Sequence, residues 1–238
     1  MDIKTKLDNL IQNDIYEISE KKPDPIIIAK KYNNEYIALI AALFAYGNVK
    51  AIMKFLNSLD LKNLKSNESY YRFQTKEDVK EFLKTIENMK KDYSLNELFL
   101  KGYKKEENII DGLREIIKTI YKINPYTSKG YEFLIGKIPP HKTKGVSPYK
   151  RWNMFLRWMV RDTSPDLGLW KNVKKSDLII PLDTHTHKVS LNLGLLKRKT
   201  YDLQAAVELT EKLKEFDKKD PLKYDFALYR IGQYKINV

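Results

Sequence analysis

The spacing of the apolar residues is the feature that most limits what this chain can fold into. In the segment 108–122 the apolar side chains recur every three or four residues, which is the period of one face of an α-helix. They are Ile109, Ile110, Leu113, Ile116, Ile117 and Ile120. No segment of useful length alternates apolar and polar residues as a half-buried strand does, so the sequence predicts an all-α fold. The segment 36–48 is apolar on nearly every side, which predicts a buried central helix.

The charge of the chain favours a polyanionic partner. Its 238 residues include 44 Lys and Arg against 31 Asp and Glu, for a net charge of +13. We expect double-stranded DNA as the partner, although a proteome rich in lysine would give the same charge without one. The first residues lack the apolar segment of a secretory signal, and no apolar run is long enough to cross a bilayer. We therefore expect a cytoplasmic monomer without a membrane partner.

The chain contains no Cys and only three His residues. The absence of Cys excludes disulfide bonds, thiolate zinc sites and iron–sulfur ligation. Two of the histidines lie close together in sequence, but no third ligand for a metal is evident beside them. We therefore expect no metal and no other cofactor.

Lys150 stands at a predicted helix start. Ser147 followed by Pro148 is typical of such a start, with Ser as the N-cap and Pro at the first helical position. Lys150 would then lie in the first turn, where the helix dipole and the neighbouring Arg151 disfavour a protonated ammonium. A neutral amine is a nucleophile that forms Schiff bases. The alternative is an ordinary surface lysine, which is common in a chain so rich in lysine.

Asp183 stands at a second predicted helix start. It follows the apolar run 179–182 and precedes a helical pattern from Thr184 to Leu193, so we expect it to be an N-cap. Backbone N–H groups would keep its carboxylate ionised. A fixed negative charge suits a reaction that builds positive charge at a sugar C1′, as cleavage of an N-glycosidic bond does. Simple helix capping is the alternative.

Further candidate residues surround these two positions. The backbone N–H groups of the turn from Gly145 to Pro148 suit a DNA phosphate, although a plain turn between helices is the alternative. The predicted DNA-binding residues are Lys142, Lys144, Gly145, Val146, Ser147, Arg151, His185 and His187. The candidate residues of a base pocket are Tyr46, Asn48, Trp152, Trp158 and Trp170. Tryptophan is more often a core residue, and Asn48 would equally cap a helix after a C-cap at Gly47.

Several of these segments resemble a known family. Asp183-Thr184-His185, with Ile180-Pro181-Leu182 before it and Lys188-Val189 and Leu193-Gly194-Leu195 after it, resembles the catalytic aspartate segment of the helix-hairpin-helix DNA glycosylases, the endonuclease III superfamily. Gly145-Val146 before Lys150 resembles the end of that family's hairpin, whose lysine is the nucleophile. The segment 147–161 is similar to the run Ser-Pro-x-Lys-Arg-x-Asn-Met-Phe-Leu-Arg-Trp-Met-Val-Arg of an uncharacterised bacterial family. The archaeal 8-oxoguanine glycosylases are a more distant likeness.

The chain departs from the superfamily pattern at two points. The hairpin's usual Gly-Val-Gly-x-Lys is one residue longer here, as Gly145-Val146-Ser147-Pro148-Tyr149-Lys150. The cysteine cluster that holds an iron–sulfur centre in many relatives is absent, which excludes that centre here.

The resemblance implies a fold and an activity. The fold would be all-α and two-lobed across residues 1–238, with lobe A at about 24–160, lobe B at about 1–23 plus 181–238, and a cleft between them. The activity would be removal of a damaged base, for which an oxidised purine is one candidate. Lys150 would form a Schiff base assisted by Asp183, and strand cleavage at the resulting abasic site would follow. The alternatives are a monofunctional glycosylase and a DNA-binding protein that keeps the scaffold without catalysis.

Overall fold

A computed structural model describes residues 2–12, 18 and 23–234 of the chain. This part of the chain is helical, with twelve α-helices and no strand, which confirms the all-α prediction. The helices are α1 Ile3–Gln12, α2 Ile26–Tyr32, α3 Glu35–Leu43, α4 Val49–Ser58, α5 Lys76–Asp92, α6 Leu95–Tyr103, α7 Ile109–Ile123, α8 Lys129–Ile135, α9 Lys150–Val160, α10 Thr184–Asn192, α11 Leu203–Lys214 and α12 Asp225–Tyr234. Short 3-10 helices cover Leu64–Ser66, Lys175–Asp177 and Pro221–Tyr224.

The chain divides into two compact units. Unit 1 comprises Met1–Lys22 and Pro140–Val238, and unit 2 comprises Pro23–Pro139. The expected lobes divide the sequence differently, because lobe A at about 24–160 would include α9. In the structure α9 belongs to unit 1, the unit that also contains Asp183.

The core of unit 2 contains the two helices that the apolar patterns predict. Every residue of α3 from Tyr36 to Leu43 is buried, and Asn34 caps the helix by accepting the N–H groups of Tyr36 and Ile37. The helix ends at Leu43, with Phe44 as the C-cap, so the expectation of a C-cap at Gly47 is wrong. All six apolar residues of the α7 pattern are buried.

Unit 1 has its own apolar core. It is built mainly from α11, α12 and the extended segment before Asp183, and Leu7 of α1 joins it. Its buried members are Leu7, Ile180, Leu182, Leu195, Leu196, Ala205, Ala206, Leu209, Leu213, Tyr224, Ala227, Leu228 and Ile231. The sequence pattern favours one helix over residues 1–20. The structure gives Ile3–Gln12, and residues 13–17 and 19–20 of the predicted helix lie outside the described part.

Among the described helices, none has the length and the apolar character that crossing a membrane requires.

Candidate active site

Lys150 and Asp183 lie side by side in unit 1. The Lys150 Nζ is 3.3 Å from Asp183 Oδ2. The lysine side chain is 33% exposed and the aspartate side chain 13% exposed, so a ligand can reach the amine while the carboxylate is largely shielded. The two residues are far apart in sequence, and each lies at the N-terminal end of a helix.

The start of α9 differs from the sequence-based prediction. Tyr149, not Ser147, is the N-cap residue, and it has the left-handed conformation with φ 49°. The Ser147 hydroxyl accepts the Tyr149 N–H at 3.5 Å, a local turn that competes with helix formation at Pro148. The helix therefore begins at Lys150. This later start places the Lys150 backbone at the positive end of the helix dipole.

Asp183 caps α10, as the sequence predicts. Its Oδ1 accepts the N–H of Thr186 at 2.7 Å, which leaves Oδ2 directed at Lys150. One carboxylate thus has two functions, because one oxygen fixes its orientation and the other faces the amine. A carboxylate held in this way keeps its charge in place without side-chain reorganisation.

Two hydrogen bonds fix the segment that delivers Asp183 to this position. The N–H of Ile180 donates to Thr210 Oγ1 of α11 at 3.0 Å, in the buried core. The Tyr201 hydroxyl donates to the carbonyl of Leu182 at 2.9 Å, immediately before Asp183. Burial of this hydroxyl and the charge of Asp183 raise the pKa of Tyr201 to about 12, so it remains a donor at neutral pH.

The sequence reading missed Tyr201. It places Tyr201 at the start of a helix that runs to Phe216. The structure starts α11 at Leu203, with Asp202 as the N-cap. Because Asp202 takes the capping position, Tyr201 precedes the helix and its hydroxyl reaches Leu182. In the sequence, an Asp directly before the first apolar residue of the helical pattern, as Asp202 is before Leu203, indicates this later start.

The polar face of α9 is buried, although its composition suggests an exposed surface. Asn153, Arg157 and Arg161 are each less than 7% exposed. The Nδ2 of Asn153 donates to the carbonyl of Pro148 at 2.9 Å and supports the start of the helix. Within the described chain, the Oδ1 of Asn153 is buried without a hydrogen-bond partner.

Three acids, of which Asp166 and Asp225 are buried, neutralise the two arginines of this face. Arg157 contacts Asp166 at 3.2 Å and also pairs with Asp225, the first residue of α12. Arg161 pairs with Asp166 and, through two nitrogens, with Asp220. Removing one member of such a network leaves a buried charge without its partner, which is strongly destabilising. The network therefore holds α9 rigidly against the start of α12.

Asp225 is a second carboxyl group near the site, and the sequence reading did not identify it. It is 4% exposed. Burial raises its pKa, the charge of Asp183 acts in the same direction, and the Arg157 guanidinium opposes both. The sequence predicts a closing segment from Tyr224 to Gly232 that includes Asp225, but its partner Arg157 lies on another segment.

The basic loop before α9, residues 141–149, is attached to the start of α11. The Gly145 N–H donates to Asp202 Oδ2 at 2.8 Å, and the N–H of Leu203 donates to the carbonyl of Val146 at 2.8 Å. The Gly145 amide, which the sequence suggests as a phosphate donor, therefore already binds a carboxylate of the chain. The side chains of Lys142, Lys144 and Ser147 are exposed, and Arg151 is partly exposed.

The two histidines of α10 differ in their surroundings. His187 is buried at 7% exposure, its Nε2 lies 3.1 Å from the carbonyl oxygen of Arg198, and its ring meets Tyr201 edge to face. These contacts give it a structural role in the capping turn. His185 is exposed. Only His185 is therefore open to a phosphate in this structure.

The suggested base-pocket residues are divided between the two units. Trp152, Trp158 and Trp170 are at most 3% exposed and pack in unit 1. Tyr46 and Asn48 belong to unit 2, where Asn48 caps α4 through the N–H of Lys50 and the Tyr46 hydroxyl pairs with Gln74. The tryptophans match the core alternative, and Asn48 matches the capping alternative.

The described residues contain no group of three His, Asp or Glu side chains arranged to hold a metal ion. The chemistry available at the site is that of an amine beside a carboxylate, with a phenol and a second carboxyl group close by.

Comparison with known proteins gives a family but no function. No curated protein and no solved structure matches the chain. One family model matches residues 24–234, which include Lys150, Asp183 and Asp225. The chain belongs to this family, which is described as "Protein of unknown function (DUF2400)".

Proposed function

We propose that this protein is a DNA glycosylase with lyase activity, built on a two-lobed helix-hairpin-helix scaffold. The observation that carries the proposal is the 3.3 Å approach of Lys150 Nζ to Asp183 Oδ2. An amine and a carboxylate, each fixed at a helix start and placed beside an exposed basic loop, suit attack on a sugar carbon of a polyanion. The resemblance of both segments to those of the endonuclease III superfamily supports the same reaction.

The reaction begins with a damaged nucleotide flipped out of the duplex. The Lys150 amine attacks C1′ while the bond between C1′ and the base breaks, and the base leaves with the bonding electrons and takes up a proton. The sugar ring then opens: O4′ gains a proton, the lysine nitrogen loses one, and a Schiff base remains. Loss of a C2′ proton and departure of the 3′ phosphate nick the strand. Water then hydrolyses the Schiff base and releases the enzyme.

Asp183 acts through its charge in this scheme. Its carboxylate lies beside the attacking amine, with Oδ2 3.3 Å from Lys150 Nζ, and its negative charge stabilises the positive charge that develops at C1′. Tyr201 and Thr210 keep the segment before Asp183 in place, so the carboxylate needs no rearrangement during the reaction. Loss of a preorganised charge of this kind typically slows a step by about 10²–10³-fold.

Borohydride trapping tests the proposal. The wild-type protein, mixed with a duplex that carries an abasic site or 8-oxoguanine, should give a covalent protein–DNA adduct on reduction of the Schiff base. Lys150→Gln should abolish the adduct and leave duplex affinity within a few-fold. Asp183→Asn should reduce the rate of trapping by about 10²–10³-fold, while the Asn still caps α10. Lys188→Gln is the matched control, because it removes an exposed lysine of α10 and should trap like the wild type.

Three results would contradict parts of the scheme. An adduct that persists in Lys150→Gln would move the nucleophile to another lysine. Base release without any adduct would indicate a monofunctional glycosylase, in which Lys150 serves only as a phosphate contact. Duplex binding without base release or strand cleavage on either substrate would leave the non-catalytic DNA-binding protein as the function.

A further inference from the structure

Unit 2 carries an exposed group of aromatic side chains that the proposed reaction does not use. Phe73 is 53% exposed and Phe133 is 44% exposed, and their ring centroids are 4.7 Å apart in a T-shaped contact. Tyr46 packs behind both rings, at 5.9 Å from Phe73 and 5.0 Å from Phe133. Large apolar side chains that cluster on a surface mark an interaction site more often than scattered ones do. We call Tyr46, Arg72, Phe73 and Phe133 the aromatic surface.

The fold holds the aromatic surface rigidly. Tyr71 and Gln74 exchange two backbone hydrogen bonds, so Arg72 and Phe73 form the tip of a tight turn. Both ends of the turn are anchored, because the Tyr71 hydroxyl donates to the carbonyl of Tyr46 and Gln74 Nε2 donates to the carbonyl of Gly130. Gly130 lies in α8, the helix that carries Phe133. A surface already in its binding conformation loses little conformational entropy when a ligand binds.

A cation accompanies the rings. The Arg72 guanidinium lies 5.7 Å from the centroid of the Tyr46 ring, and the Arg72 side chain is exposed. A Cβ on Gly47 would lie 2.1 Å from Arg72 Nη1, so the absence of a side chain at Gly47 lets the guanidinium take this place. Planar rings beside a guanidinium recognise flat, polarisable groups that are attached to negative charge.

The size of the aromatic surface limits what it binds. A stable protein interface buries about 800 Å² and about 20–30 residues on each partner, which two exposed rings and one arginine do not supply. One or two nucleobases match the rings in size, and stacking on aromatic side chains is the common way in which proteins hold unpaired bases. The chain's net charge of +13 favours the attached phosphates.

We propose that the aromatic surface binds unpaired nucleobases of single-stranded nucleic acid by stacking on Phe73 and Phe133. This site rests on the proposed function only in taking nucleic acid as the partner, since it requires no chemistry at Lys150. Because every base has a flat face, binding should be tolerant of sequence. Arg72 contributes charge and a second flat group beside the rings.

The test measures the affinity of a short fluorescent oligothymidylate by anisotropy. Phe73→Ala and Phe133→Ala should each weaken binding by about tenfold, the typical effect of losing one base–aromatic stack. Phe73→Leu should weaken it nearly as much, since leucine keeps the apolar surface but offers no ring. Ile138→Ala is the matched control, because it removes an exposed aliphatic side chain of the same unit and should bind like the wild type. Both phenylalanines are about half exposed and lie outside the core, so the variants should fold, and circular dichroism checks this.

The outcomes separate this site from the proposed reaction. Wild-type affinity in Phe73→Ala and Phe133→Ala would overturn the site, whatever the borohydride experiment gives. Full affinity in Phe73→Leu would also overturn stacking on this ring. A change in molar mass by light scattering in Phe73→Ala would show an apolar contact between copies of the chain instead. The oligothymidylate measurement requires no reaction at Lys150, so failure of the trapping experiment leaves it interpretable.

Discussion

At the scale of single residues, Asp202 links the basic loop to the start of α11. Its carboxylate accepts the N–H groups of Gly145 and Ala205 and forms two hydrogen bonds with Arg198. These contacts, first among them the pair with Arg198, hold the pKa of Asp202 well below its usual range. Asp202→Asn should destabilise the protein by about 2 kcal/mol, because the amide nitrogen of Asn cannot accept the Gly145 N–H and Arg198 loses its counter-charge. Urea unfolding at pH 7 measures the difference.

The same variant has a defined pH dependence. A carboxyl group whose pKa is lowered by folding contributes stability above its unfolded pKa and loses that contribution as pH falls toward its folded pKa. The stability gap between the wild type and Asp202→Asn should therefore be constant from pH 5 to 7 and narrow below about pH 4, the ordinary pKa of aspartate. Asp162→Asn is the control, because the Asp162 side chain is 51% exposed and solvent screens its pair with Lys175, so this pair contributes little to stability. A gap that widens in acid would contradict the assignment.

The sequence predicted the capping role of Asp183 but not the long-range contacts of the site. The capping role of Asp183 was readable because capping depends only on the aspartate and the backbone of the next three residues. The contact between Asp183 and Lys150 does not follow from local pattern, because it depends on how two distant helix starts pack. The ion pair of Asp225 could not be predicted for the same reason, since its partner Arg157 lies on a separate helix.

At the scale of helices, the apolar periods of α3 and α7 predicted buried elements correctly, because burial of an apolar stripe is a local property of the helix. The polar face of α9 was harder to interpret. A face with Asn153, Arg157 and Arg161 is ordinarily exposed, and it is buried here because acids from three later positions neutralise it. Local hydrogen bonds also place two helix starts later in the sequence than predicted. The Ser147 turn leaves Lys150 as the first residue of α9, and the Asp202 cap leaves Leu203 as the first residue of α11.

The packing of α12 against α10 gives a prediction at this scale. A Cβ on Gly232 would lie 3.1 Å from Val189 Cγ2 and 3.3 Å from the His185 Cβ. Gly232→Ala should be nearly neutral, because the tight contact offsets a helix-propensity gain of about 1 kcal/mol. Gly232→Val should lower the free energy of unfolding by about 1–3 kcal/mol through overpacking. It should also reduce borohydride trapping, because α10 carries Asp183. Thermal unfolding of both variants, beside trapping yield, measures this, and equal stability of the two would contradict the packing argument.

At the scale of the whole molecule, the net charge predicts a polyanionic partner but not the surface that would contact it. A net charge of +13 describes the chain as a sum, while binding depends on where the lysines lie. The structure shows Lys142 and Lys144 exposed in the loop that leads to Lys150, whereas the Gly145 amide of that loop is bonded to Asp202. Phosphate contacts from this loop would therefore come from side chains more than from that amide.

This distinction predicts how duplex affinity responds to salt. Each phosphate that a lysine neutralises releases counterions. A plot of the logarithm of the binding constant against the logarithm of salt concentration therefore has a negative slope, of about 0.9 for each contact. Wild-type affinity for an undamaged duplex should fall steeply between 50 and 200 mM salt. Lys142→Gln combined with Lys144→Gln should reduce that slope by about 2 and weaken binding to all sequences alike. The control is Lys104→Gln with Lys105→Gln, because these exposed lysines precede two glutamates and should leave the slope unchanged. A shallow wild-type slope, or equal slopes in the two double variants, would show that the loop before Lys150 does not follow the DNA backbone.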